Sequence, residues 1–173
     1  MKNQFLLGLI IVLFAACDQK EGRYTQQSPE IDTYKKVIAN YENRNWEALA
    51  LSYSDTARIM NNVAETAGLT TEEMIQVNKE DASIFNSWDF VDEDSTYEMV
   101  KTDEGETWVN FWGLWQGRLN ANNKIYEIPV HITARFVDGK IVREHGYWDV
   151  SQLLMDIQAL SGNEPLPTEQ KSM

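Results

Sequence analysis

A single cysteine, Cys17, and two histidines, His131 and His145, are all that this chain offers of the side chains that most often hold metals or act as soft nucleophiles. One cysteine excludes a disulfide within the chain. Two histidines without tight spacing to carboxylates do not make a zinc ligand set. The nine glycines are scattered and form no phosphate loop, nucleophile elbow or dinucleotide fingerprint. No metal and no cofactor is therefore expected. Basic residues are also few: 15 Lys and Arg stand against 27 Asp and Glu, for a formal charge of −12. Such a chain has no basic footprint for nucleic acid or for an anionic lipid surface.

Long apolar runs are missing too. The stretch from Phe5 to Ala16 follows Lys2 and is about a dozen residues long, whereas a membrane-spanning helix needs about 20. Its length suits a removable export signal. It ends Leu13-Phe14-Ala15-Ala16-Cys17, which resembles the bacterial lipobox, and the lone cysteine then has an explanation as the acylated first residue of the mature chain. The expectation is a lipoprotein of the bacterial cell envelope, periplasmic or surface-facing, that meets the membrane only through its lipid anchor. An ordinary signal peptide with a stray thiol is the alternative.

Residues 17–29 are polar, carry Gly22, Ser28 and Pro29, and are expected to be a tether. Residues 161–173 contain Gly162, Pro165 and Pro167 and are expected to be a loose tail. One domain over residues 30–160 remains. Ile31, Tyr34, Ile38 and Tyr41 have the spacing of a helix face. Asn45 can cap a short helix bearing Trp46, Leu49, Ala50 and Tyr53. Thr70 and Glu73 fit a capping box, and Met74, Val77, Ile84 and Trp88 predict a third helix with Asp81 at the edge of its buried face. Strands are predicted over residues 97–101, 107–119, 124–137 and 140–150, with a closing helix at Leu153, Leu154, Ile157 and Leu160. The fold class is α+β, with an antiparallel sheet of four or more strands against three to four helices.

Asp138 and Gly139 are the favoured pair for a two-residue hairpin turn. With Val137 opposite Lys140, Ile132 faces His145, Val130 faces Tyr147 and Ile128 faces Asp149. That register puts Ile128, Val130, Ile132, His145, Tyr147 and Asp149 on the inner face, and His131, Thr133, Arg135 and Val142 on the outer one. A bulge would swap the sides beyond it. The six tryptophans are more than a core of this size requires. Trp112, with Ile128, Val130 and Ile132, is an expected contact for a small apolar ligand.

The segment from Phe136 through Asp138-Gly139 to Glu144-His145-Gly146-Tyr147-Trp148-Asp149, ahead of an apolar helix, resembles the terminal strands of SnoaL-like domains in the nuclear-transport-factor-2-like superfamily. The opening helix with Tyr34 and Tyr41, then Asn45-Trp46 ahead of Asp55, is similar to that family's start. The resemblance spans roughly residues 31–160. It implies a curved sheet wrapped around helices as a cone with a pocket. It also implies isomerase, dehydratase or cyclase chemistry through a pocket carboxylate, or a member with no reaction. Asp149 matches the aspartate that ends the last strand in many relatives, with His145 and Tyr147 as candidate partners.

Two readings of Asp149 stay open: general base, or cap of the following helix. His145 and Asp149 lie four residues apart, about 13 Å along a strand, so they could flank a ligand without touching. The dimers common among relatives, with the mixed outer face around His131, Thr133, Arg135 and Val142, suggest a homodimer. A non-catalytic envelope module for protein–protein interaction is the competing class.

Overall fold

The computed structural model describes residues 22–162. Cys17, the export segment and most of the tail lie outside the described residues. Among these residues no helix is long and apolar enough to cross a membrane.

Helix α1 (Pro29–Glu42) starts where Ser28 accepts from the Ile31 amide at 3.2 Å, with Pro29 in the first turn and Glu30 and Asp32 near the positive end of the helix dipole. Its stripe of Ile31, Tyr34, Val37 and Ile38 is buried. Asn45 caps the short α2 (Trp46–Ala50). The Thr70–Glu73 box is formed in full at the start of α3 (Thr71–Ile84), satisfying two otherwise unpaired donors. The closing helix, α4, spans Ser151–Leu160.

Seven strands form one sheet: β1 (Tyr24–Thr25), β2 (Tyr53–Asn61), β3 (Phe85–Phe90), β4 (Thr96–Lys101), β5 (Thr107–Leu119), β6 (Ile125–Val137) and β7 (Lys140–Trp148). The order is β1-β4-β5-β6-β7-β2, and β3 shares the β5 edge with β4, pairing with its far end. Every pairing is antiparallel except β2 beside β7. The α+β expectation holds, and its four strands lie within a residue or two of β4 to β7.

Three strands differ from the sequence reading. Tyr24 and Thr25, expected in the tether, pair with Val100 and Met99. The third helix stops at Ile84 instead of reaching Trp88. From Phe85 the chain is extended, because Trp88 and Phe90 bury on an alternating pattern against Gly117 and Trp115. Tyr53, expected on a helix face, opens β2.

The long strands alternate cleanly. Val109, Phe111, Trp115 and Leu119 of β5, and Ile128, Val130, Ile132 and Ala134 of β6, point to the buried concave face. At Gly117 a Cβ would lie 2.0 Å from the Trp115 ring, and at Gly146 it would lie 2.4 Å from the Trp148 ring. The missing side chains let each ring fold over the strand at those points, which thins the inner face where the sheet must curve.

The hairpin turn is as expected: Asp138 and Gly139 have φ of 50° and 74°, and Val137 pairs with Lys140. One pair later the register slips. Phe136 pairs with Ile141 but Arg135 pairs with Arg143, leaving Val142 as an extra residue. This bulge reverses the sides of β7 beyond it. His145 lies beside Thr133 and Tyr147 beside His131, on the outer face, and Asp149 is exposed past the end of β7. The inner placement expected for these three is corrected. Glu144 turns inward in their stead, beside Ala134.

Candidate functional site

The concave sheet face and helices α1, α3 and α4 border a cavity of about 420 Å³ that is open to solvent on one side. Ile128, Val130 and Ile132 line it, as expected. Trp115 and Trp148 add aromatic surface from the sheet, Phe85, Trp88 and Phe90 from β3, and Leu153, Leu154 and Ile157 close it from α4.

Trp112 does not belong to the wall. The alternation of β5 turns it outward, where it is 39% exposed and stacks on His131 with ring centroids 4.8 Å apart. His131 continues this outer stack toward Tyr147 at 6.2 Å, and His145 lies 6.3 Å from Trp108. Burial, then the nearby Arg143 charge, lowers the His145 pKa. None of these side chains can reach a molecule in the cavity.

Asp149 accepts from the amide and hydroxyl of Ser151 at 2.8 and 2.5 Å, which holds its pKa down and secures the start of α4. The N-cap residue of α4 is Val150, which has no side-chain cap bond, so Asp149 bonds the first helical amide from one residue earlier.

Glu144, in the cavity wall, is the one buried charged side chain among the described residues. Its Oε2 accepts from the Tyr53 hydroxyl at 2.8 Å and from the Tyr34 hydroxyl at 3.1 Å. Tyr34 comes from the middle of α1 and Tyr53 from the first residue of β2, so three separate elements converge on one oxygen. Both tyrosines are buried, and a buried hydroxyl requires such a partner. Oε1 accepts from no described residue and Glu144 lines the cavity, so this oxygen remains for a ligand.

Burial raises the Glu144 pKa from 4.5 to about 7, although the bonds from Tyr53 and Tyr34 work in the opposite direction. Near neutral pH the group therefore exists in both protonation states, as an acid or base for proton transfer requires. Burial, then the Glu144 charge, moves both tyrosines well above their usual value and keeps them as donors. Burial raises Tyr41, also in the wall, to about 12.

Asp81 of α3 lines the cavity as well, its pKa raised by partial burial and then by Glu80. Three wall residues hold a buried side-chain polar atom without a hydrogen bond: Asn61 Oδ1, Trp88 Nε1 and Trp115 Nε1.

The sequence reading missed Glu144, Tyr34 and Tyr53 as a group. The tyrosines were visible only as helix-face residues, and an unbulged hairpin would put Glu144 on the outer face, in line with Val142. Among the described residues no three His, Cys, Asp or Glu side chains gather as metal ligands.

The sign of the pH effect on stability follows from the direction of the Glu144 shift. A carboxyl with a raised folded-state pKa favours the fold fully below the unfolded value of 4.5, and that advantage is lost as pH rises through about 7. The loss is on the order of 3 kcal/mol. Thermal melts from pH 4.5 to pH 8 should show stability falling across this window, with a flatter profile in Glu144→Gln. A wild-type profile that rises there would contradict the assignment.

No family model matches the chain, and no curated protein matches it. Solved structures do. The chain is 14% identical to a Catenulispora acidiphila protein with a ketosteroid isomerase-like fold, in complex with trimethylamine, over 77% of this chain and 94% of that one, with a TM-score of 0.57. A Xanthomonas campestris protein described as a polyketide cyclase is 12% identical, over 77% and 99%, with a TM-score of 0.62. A Shewanella denitrificans protein described as a SnoaL-like polyketide cyclase is 17% identical, over 77% and 99%, with a TM-score of 0.58. At these identities the likeness concerns the fold alone: a curved open sheet around helices, as in the ketosteroid isomerase-like fold.

Proposed function

We propose that this protein is a lipid-anchored envelope domain that binds a small, largely apolar molecule in its cone and exchanges a proton with it through Glu144. The observation that carries this reading is a buried carboxyl in the wall of an apolar cavity, one oxygen held by Tyr34 and Tyr53 and the other without a partner among the described residues, where burial raises its pKa. An acid/base group works best when its pKa lies near the working pH and its proton can reach the bound molecule. Proton transfer of the isomerase, dehydratase or cyclase kind is the corresponding reaction class. Glu144 takes the role that the sequence reading gave to Asp149, and Tyr34 and Tyr53 take the donor roles given to His145 and Tyr147.

Deuterium exchange into a cyclic ketone is a simple reporter of such transfer at carbon. Glu144→Gln should lower the exchange rate by about 10² to 10⁴, whereas Asp149→Asn should leave it unchanged. The opposite ranking would return the role to Asp149.

The lipid anchor rests on Ala15-Ala16-Cys17 behind the export segment. Cys17→Ser should release the protein from membranes and remove the acyl mass from its N-terminus. An unchanged partition and mass would refute the anchor.

A second reading concerns the outer sheet face. Trp112 and Tyr147, 39% and 53% exposed, flank His131 there in a stacked row across three strands, apolar surface that a monomer gains by covering. We propose that two copies pair through this face. Sedimentation should show a dimer that Tyr147→Lys converts to a monomer. A wild-type chain that stays monomeric at high concentration would refute the pairing.

A further inference from the structure

The side chains around the cavity have a one-sided electrostatic character. Its ionisable members are Tyr34 and Tyr41 from α1, Tyr53 from β2, Asp81 from α3 and Glu144 from β7. Each of these carries negative charge when ionised. Among the described residues no Lys, Arg or His reaches the wall, and β3, β5, β6 and α4 give it only apolar and aromatic side chains. The neighbours of Glu144 along β7, Arg143 and His145, stay on the other side of the sheet, where Arg143 pairs with Glu65 at 2.7 Å.

A buried carboxyl with no cation beside it is half of an ion pair. The Tyr34 and Tyr53 hydroxyls hold only Oε2, so Oε1 is the position for a donor from the ligand. Asn61 lies on the same inner face, two residues along β2 from Ile59, the partner of Glu144, with its Oδ1 buried and unpaired. The remaining wall, rich in aromatic rings, suits a cation with apolar substituents, because such rings attract cations and do not penalise alkyl groups.

We propose that the ligand of this cavity is an apolar secondary or tertiary amine, held as its ammonium ion against the Glu144 carboxylate. This rests on the cavity being the ligand site and assigns its ligand class.

The proton accounting is simple. A neutral amine enters the apolar cavity more easily than its ion. The O–H bond at Glu144 Oε1 then breaks, the nitrogen lone pair takes the proton, and a new N–H bond points back at the carboxylate. The two tyrosine hydroxyls keep the resulting anion bonded at Oε2. Asp81, nearer the solvent on α3, adds a second negative charge that favours a cation over a neutral or anionic molecule. The acidic chain as a whole draws cations toward itself in the same sense.

This assignment has an opposite pH signature from a neutral ligand. Below about pH 7 the free protein holds Glu144 protonated and the free amine is an ammonium ion, so forming the pair releases one proton. Affinity for an amine must then rise with pH until Glu144 is ionised without ligand. A ketone that accepts a bond from the protonated acid must lose affinity over the same range.

The probes are N,N-dimethylbenzylamine and isobutyrophenone, similar in shape, one cationic and one a neutral carbonyl compound, titrated calorimetrically into the full chain. The amine should bind at least about tenfold more tightly at pH 7, and its affinity should rise about tenfold or more from about pH 5 to about pH 7 with proton release. Glu144→Gln should weaken the amine about tenfold or more and the ketone far less.

Tighter binding of the ketone, or amine affinity that is flat or falls with pH, would overturn the amine assignment while leaving the cavity as the ligand site. Failure of both probes to bind would overturn the ligand site and the amine assignment together. The wild-type pH slope decides the matter even if the variant does not fold.

Discussion

Val142 has no partner on β6, and that one extra residue decides which way every later side chain of β7 faces. Without it, strict alternation from Ile141 would send Arg143, His145 and Tyr147 into the cone and leave Glu144 outside. Two of these carry or can carry positive charge, which a largely apolar concave face is costly to hold. The bulge instead delivers a single carboxyl opposite two tyrosine hydroxyls and places Gly146 where the Trp148 ring and Asn61 need room. A chain that contained the same residues in an unbulged β7 would have a different cavity.

That dependence explains what could be read from the sequence. Features whose cause is local were legible. The caps at Asn45 and Thr70, the turn at Asp138-Gly139 and the alternation of β5 and β6 each need only a few neighbouring residues, and Ile128, Val130 and Ile132 therefore line the cavity as expected. Features set by long-range pairing were not. β3 is extended because β5 offers it an edge, although its residues also continue the helical spacing of α3. β2 owes its place to the parallel edge of β7. Trp112 illustrates a third kind of miss, in which an aromatic was assigned to a pocket by abundance although strand alternation had already placed it outside.

The acid itself had no local signal. Glu144 sits between Arg143 and His145, in a stretch that reads as an ordinary solvated strand edge, and a bulge leaves no mark at Val142 that composition reveals. Tyr34 and Tyr53 were more informative than they first looked. Each is a large buried residue with a hydroxyl that must be bonded, and the two hydroxyls are far apart in sequence and close in space. Two tyrosines on the buried stripes of successive elements could have prompted a search for a shared acceptor.

Stability alone does not account for this trio. Phenylalanine at positions 34 and 53 and leucine at 144 would fill nearly the same volume without burying three polar groups, and replacing buried polar or ionic clusters by apolar ones is often neutral or stabilising. Removing one member is another matter. Leucine at 144 alone leaves two buried hydroxyls without an acceptor, and phenylalanine at 53 alone takes the shorter of the two bonds from a carboxyl that is already costly to ionise. The three residues therefore hold together as a set whose members depend on one another, while the set as a whole is dispensable to packing. Such a set needs a reason outside the fold. Oε1, which bonds to nothing within the described chain on a residue that lines the cavity, is where that reason has to be found.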